Sequence, residues 1–165
     1  MAFDAFLKIA TIPGESTDDA HQDWIEVLSY SHGLSQSGSG SVSSGGARTA
    51  ERCDHQEFSI TKTLDKASPL LALACCNGEH IGEIKLELCR AGGDKNKYME
   101  YTLNDVIVAS VHPNGSAQGA ETLPMEDVTF NYGKITWTYT ETDHRTGKPG
   151  GIVEKFWDLT TNSGG

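Results

Sequence analysis

The side chains best suited to chemistry in this 165-residue chain are six histidines and four cysteines. Zinc and similar cations take imidazole nitrogen and thiolate sulfur, usually as close pairs. Cys53-x-His55 and Cys76-x3-His80 come nearest to that spacing. Neither has a second pair at zinc-finger distance, and no His-Glu-x-x-His occurs. His21, His32, His55, His80, His112 and His144 therefore read as scattered surface or loop residues. Cys53, Cys75, Cys76 and Cys89 read as free thiols that serve as small packing residues.

Covalent catalysis needs a serine or cysteine beside a base that a third group orients. No Gly-x-Ser-x-Gly elbow stands between a strand and a helix; GSGSVSSGG at 38–46 matches only in composition. AGGD at 91–94 leads into neither a helix nor Lys-Ser/Thr, so it reads as a turn rather than a phosphate loop. GESTDDAHQDW at 14–24 lacks the spacing and terminal Glu of a calcium loop and reads as a solvated acidic loop. Trp24, Trp137 and Trp157 read as core or interface anchors. No catalytic residue, cofactor or metal is expected.

The totals narrow the partners. A net charge of −10 and a pI near 4.9 oppose binding to nucleic acid or to an anionic membrane. No apolar run reaches membrane-spanning length. The start, MAFDAFLKIATIPGES, lacks a basic opening and is not a conventional signal peptide. The length suits a single domain over 1–165.

Alternation of period two dominates, as half-buried antiparallel strands require. Phe3, Ala5, Leu7 and Ile9 share one face; so do Phe58, Ile60 and Leu64, and Ile84, Leu86 and Leu88. Met99, Tyr101, Leu103, Ile107, Ala109 and Val111 share another. In VTFNYGKITWTY the phase flips between Val128, Phe130, Tyr132 and Ile135, Trp137, Tyr139, which predicts a bulge or bend at Gly133. DKASPLLALACCNGEH at 65–80 predicts one short helix. Ser68 is its expected N-cap, Leu70, Leu73 and Ala74 its apolar stripe, and Asn77-Gly78 its stop. SVHPNGSAQGAE and ETDHRTGKPGG read as loops.

With these elements in order, the chain resembles the hemolysin-coregulated protein (Hcp) family of the bacterial type VI secretion system. IPGES at 12–16, SQSGS at 35–39, DKASPLL at 65–71, AGGD at 91–94 and EDVTFNYGKITWTY at 126–139 carry the resemblance. It implies a mainly β fold: an antiparallel β-barrel of two packed sheets with one short flanking α-helix and an extended Gly/Ser-rich loop. It implies homohexameric rings that stack into a hollow tube related to phage tail tubes. The tube is assembled in the bacterial cytoplasm beside tip and sheath components and exported without a cleaved signal peptide, with small effector proteins in its lumen. Some members carry C-terminal effector extensions; ending at Gly165 with LTTNSGG, this chain is expected to have none.

The resemblance also places residues. Tyr30, Ser31 and His32 fall on the strand nearest the lumen, with Ser31 the position expected to face cargo. GLSQSGSGSVSSGG at 33–46 becomes an arm laid on the adjacent ring, with Ser39, Ser41, Val42, Ser43, Arg48, Glu51 and Arg52 as its candidate contacts. Two competing readings are a monomeric barrel that holds a small ligand inside itself and a hydrolase whose site the sequence does not display.

Overall fold

The computed structural model describes residues 2–39, 49–93, 95–119 and 123–165. The elements are β1 (Phe3–Ile9), β2 (Ile25–Val27), β3 (Ser29–Ser31), β4 (Leu34–Ser35), β5 (Gly38–Ser39), β6 (Thr49–Ala50), β7 (Asp54–His55), β8 (Phe58–Thr63), α1 (Ala67–Asn77), β9 (Ile81–Arg90), β10 (Lys97–Asn114), β11 (Met125–Thr142), β12 (Pro149–Asp158) and β13 (Ser163–Gly164).

The longest strands, β10 and β11, pair antiparallel from Met99↔Tyr139 to Asn114↔Met125. They belong to two sheets at once. Their outer parts join β8 and β3 in the order β3-β8-β11-β10. Their other parts stand at the centre of β2-β1-β9-β10-β11-β12-β13. Residues 25–31 run from one sheet to the other, pairing β1 through β2 and β8 through β3. The ladder breaks between them at Leu28, whose N–H still donates to the Thr61 carbonyl at 2.8 Å. Pairing thus comes round on itself, and the mainly β architecture of two packed antiparallel sheets with one helix is as expected.

The bend lies where the phase flip placed it. Tyr132 and Ile135, three apart, are both buried, and so are Leu103 and Val106 on β10. Asp105 faces Gly133 across this level and takes a left-handed φ of 52°. A Cβ on Gly133 would meet the Asp105 Cβ at 3.1 Å, a close contact that Asp105 would have to yield to, so glycine eases this approach. The ladder crosses the bend without a register shift; the shift comes later, between Val108 and Ser110. The expected single face for β10 is corrected here. Val106 and Val108 replace Ile107 and Ala109 on the inner side, and the bulged Ala109 returns Val111 inward. The segment Val111–Asn114, read as the start of a loop, is the end of β10. Within AGGD, Ala91–Gly93 belong to the turn between β9 and β10, as expected, with Lys95 N–H donating to the Gly92 carbonyl at 3.1 Å; Asp94 lies outside the described residues.

Two further expectations are revised at α1. Its buried face is Ala67, Leu71 and Ala74, while Leu70 and Leu73 are exposed. Both stripes have helical spacing; Ala67 and Ala74, being small, let the helix sit close to the core. Ser68 is inside the helix and does not cap it. Asp65 does, accepting the Ala67 N–H at 2.9 Å, while Ser68 Oγ accepts the Asp65 N–H at 3.1 Å. Gly78 ends the helix at φ 63°, as expected.

The turn before α1 shelters an ion pair. Lys62 occupies a core-facing slot of β8 between Ile60 and the helix, opposite Glu126 of β11, and is fully buried. Its Nζ lies 2.6 Å from Glu126 Oε2, 3.0 Å from Asp65 Oδ1 and 3.0 Å from Ser68 Oγ. Ser68 Oγ donates in turn to Glu126 Oε2 at 2.8 Å. The cluster ties the sheet to the helix start. Removing one member of such a pair strands its partner's charge, at about 3–5 kcal/mol, whereas replacing both by apolar groups is often neutral. Lys62→Met is therefore expected to lose that much stability, and Lys62→Met/Glu126→Leu to regain most of it. Urea denaturation of the wild type, both singles and the double checks this; a double mutant no better than the singles would refute it.

Candidate functional site

The outward face of the β3-β8-β11-β10 sheet is built from small hydroxyl residues. Strand register aligns Ser31, Ser59, Thr129 and Ser110 in one row and Ser29, Thr61, Asp127 and His112 in the next. Alternation puts the apolar partners Tyr30, Ile60, Val128 and Val111 on the inner side. Cross-strand bonds link the hydroxyls: Ser110 with Thr129, and Thr61 Oγ1 donating to Asp127 Oδ1 at 2.6 Å. Both borders of this sheet are open among the described residues. β3 pairs only with β8, and β10 pairs with β9 no further than Val106.

The three neighbours singled out in sequence separate. Ser31 is exposed on the hydroxyl face. Tyr30 turns inward, stacked 6.0 Å from Phe58 and 5.4 Å from Tyr101. His32 is half-buried, with Nε2 2.6 Å from the Tyr132 hydroxyl.

Beyond His32 the chain leaves the barrel and returns as a paired stem. Leu34↔His55 and Ser35↔Asp54 pair first, then Gly38↔Ala50 and Ser39↔Thr49. Gln56 N–H donates to the Gly33 carbonyl at 3.0 Å, and Gln36 bonds the Glu51 carbonyl. Glu51 and Arg52 are exposed on the returning strand, and the backbone of Ser39 is in β5. Ser41, Val42, Ser43 and Arg48 lie outside the described residues. Two histidines stand at the base, one on each leg, with Tyr132 between them: its hydroxyl is 2.6 Å from His32 Nε2 and 3.1 Å from His55 Nδ1. The Tyr132 hydroxyl also donates to the Gln56 carbonyl at 3.4 Å, and the ring tautomers set the direction of its two histidine contacts.

The acidic segment 14–24 is solvated at Glu15, Asp19 and Asp23, as expected, but buries Gly14, Ser16 and His21. It lies over the far face of β1 and β9. Gly14 and Ser16 donate backbone hydrogen bonds to Asp23 and Trp24 carbonyls at 2.8 and 3.0 Å. His21, only 4 % exposed, stacks on Phe6 at 4.2 Å and is no surface histidine. That stacking also buries Phe6, on the strand face the alternation had left wet. His21 Nδ1 meets Asp18 Oδ2 at 2.8 Å and Nε2 meets Glu87 Oε2 at 2.7 Å. Of the cysteines, Cys89 is buried and Cys53 and Cys75 are half-buried, but Cys76 is exposed and not the packing residue expected. Neither Lys62 nor this histidine cluster was found from sequence. A lysine at a core-parity position of β8 was the one available signal.

These features define a class: β-rich structural subunits that present a polar sheet face with open borders. Residues 6–139 match the family model described as "Type VI secretion system effector, Hcp". "Protein hcp1" of Pseudomonas aeruginosa is 39% identical over 163 residues, covering 98% of each chain, and "Major exported protein" of the same organism is 31% identical over 137 residues, covering 76% of this chain and 74% of its own. Among solved structures, one described as "Structure of a type six secretion system protein" superposes with a TM-score of 0.92 at 33% identity, covering 99% of this chain and 100% of its own. Hcp1 of Salmonella typhimurium gives 0.81 at 32%, covering 99% of each. The chain belongs to the Hcp family of type VI secretion tube proteins. The ligand-barrel alternative is not favoured: Phe58, Phe130, Ile60, Leu86 and Leu103 fill the space between the sheets.

The base of the stem responds to pH in a definite sense. Burial holds His32 below the ordinary value of 6.5, and His55 adds to the effect. Burial also lowers His55, with Asp54 opposing. The buried Tyr132 hydroxyl is pushed far up and stays neutral, with Cys53 as its other titratable neighbour. The folded state therefore favours neutral rings. Their stabilisation is complete above 6.5 and is lost as pH falls through the lowered folded values. Amide exchange at Leu34, Ser35, Asp54, His55 and Gln56, corrected for intrinsic rates, is expected to speed up several-fold between pH 7.5 and 5. In His32→Gln/His55→Gln that dependence should vanish. A wild type with equal corrected rates at both pH values would show that the histidines do not hold the stem.

Proposed function

We propose that this protein is a ring-forming tube subunit: six copies close side by side, the rings stack, and the hydroxyl face becomes the wall of the lumen. The observation that carries this reading is the four-stranded hydroxyl face with both borders open. An unpaired border is an aggregation hazard for a lone molecule, and closing a ring against the next copy removes it. A wall of Ser and Thr with one Asp–His row offers effector proteins weak polar contacts rather than an apolar trap. The subunit is exported with its cargo, in keeping with the name of the relative "Major exported protein"; tip and sheath components are its other partners. The stem 33–56 carries the arm that reaches the neighbouring ring, with Glu51 and Arg52 on its exposed side.

Light scattering with negative-stain imaging of the purified chain is expected to show rings of about six protomers; a persistent monomer would overturn the proposal. Ser39 and Thr49 are a ladder pair, so a two-residue Asn-Gly turn can replace 40–48 without disturbing the stem. This variant is expected to fold, form single rings and fail to stack. Each backbone hydrogen bond lost is worth roughly 0.5–1.5 kcal/mol, and repetition around the ring multiplies the effect. Normal tubes would show that the segment is a linker; monomers would show that it binds within the ring.

Ser31→Gln tests the wall separately. The exposed position tolerates the longer side chain, so rings should form normally, while retention of a co-expressed effector falls several-fold. Unchanged retention across several effectors would place Ser31 away from cargo.

A further inference from the structure

We propose that His21, Glu87 and Cys89 form a binding site for a zinc-like divalent cation, which fastens segment 14–24 to β9. One ligand atom from each lies within 4.8 Å of the other two. His21 Nε2 is 2.7 Å from Glu87 Oε2 and 3.9 Å from Cys89 Sγ. Donors around a tetrahedral zinc stand roughly 3.3–3.6 Å apart, so an ion enters once the His21–Glu87 contact opens by about 0.6 Å and the His21–Cys89 contact closes by about 0.3 Å.

The surroundings match this use. Asp18 holds the far ring nitrogen of His21, the carboxylate–histidine arrangement that aims the other nitrogen at a metal. Glu87 and Cys89 point the same way because they are two apart on one strand. In the metal-free cluster each ring nitrogen of His21 faces a carboxylate, Nδ1 at 2.8 Å and Nε2 at 2.7 Å. A bound dication takes the Nε2 lone pair and the Cys89 sulfur as thiolate, with Nδ1–H left on Asp18.

The field there is one that favours cations. Burial, then Glu87, Asp18 and Asp4, push the Cys89 thiol up to about 11. The same carboxylates that hinder loss of its proton attract a metal that replaces it. Lys97, 3.5 Å from Glu87 Oε1, and Lys95, bonded to Asp18, moderate that field. Lys95, then His21, hold Asp18 down to about 2, so the orienting carboxylate is ionised at any working pH. A groove of about 820 Å³ lined by Asp4, Phe6, Asp18 and Asp19 comes as near as the orienting Asp18, and Glu87 itself lines a second groove of about 330 Å³. None of this is needed for ring closure, because the metal-free cluster satisfies its own hydrogen bonds.

Titrating the metal-free full chain with cobalt(II) alone tests the site. A near-ultraviolet sulfur-to-cobalt charge-transfer band should saturate at one equivalent and be discharged by zinc but not magnesium. Calorimetry in two buffers at pH 7.5 should show proton release on zinc binding, as thiolate ligation requires. Cys89→Ser should abolish the band, Glu87→Gln should weaken zinc binding at least tenfold, and Cys76→Ser should change neither. Should a variant not fold, the wild type decides: zinc is expected to slow amide exchange in segment 14–24. A wild type without the band, or with a band lost in Cys76→Ser, overturns the site, and so does unchanged exchange in 14–24 under saturating zinc.

Discussion

The architecture depends on one close approach, that of Gly133 to Asp105. There the central strand pair β10–β11 turns from one sheet into the other while its ladder stays in register. Without the bend, the apolar sides of the two halves would face opposite ways, because a strand reverses its side chains at every residue. With it, Tyr132 and Ile135, and Val106 and Leu103, look into one core. Every other strand of the main sheet attaches to one half or the other of this pair, directly or through neighbours, while the stem pairs β4–β7 and β5–β6 stand apart from it.

Burial of one side determines what is left for function on the other. On the β3-β8-β11-β10 sheet the inner rows are aromatic and aliphatic, so the outer rows hold the small hydroxyls. On the other sheet the outward face is partly covered by segment 14–24, which brings its own charged cluster. Lys62 and Glu126 break the inside–outside rule at the place where sheet meets helix. There a lysine stem reaches through the core to Asp65 and Ser68 of the capping turn and to Glu126 of β11.

Much of the fold was legible because period-two alternation is a direct imprint of a one-sided sheet. The flip at Gly133 could be read since glycine marked it. The matching flip at Asp105 could not, because Asp105 carries no such mark and Ile107 and Ala109 preserved a plausible wrong phase. Helix phase failed for a similar reason: Leu70 and Leu73 are more apolar than Ala67 and Ala74, but close packing selected the smaller residues. The Gly/Ser segment suggested an arm only through family resemblance; its pairing is made by backbone groups, which composition does not reveal. His21, Glu87 and Cys89 escaped because the first lies 66 residues from the second. Ser31 was accessible to alternation, but which face it shares with Ser59, Thr129 and Ser110 required the register.

The central position of β11 also has a consequence in time. It pairs with β8, β10 and β12, yet it is among the last strands to be synthesised. Until residues 125–130 have left the ribosome, β8 has no neighbour on its β11 side, and β1 must wait for β9, the strand it pairs with along its whole length. The two sheets are thus completed late relative to their first strands, which stay unpaired until then.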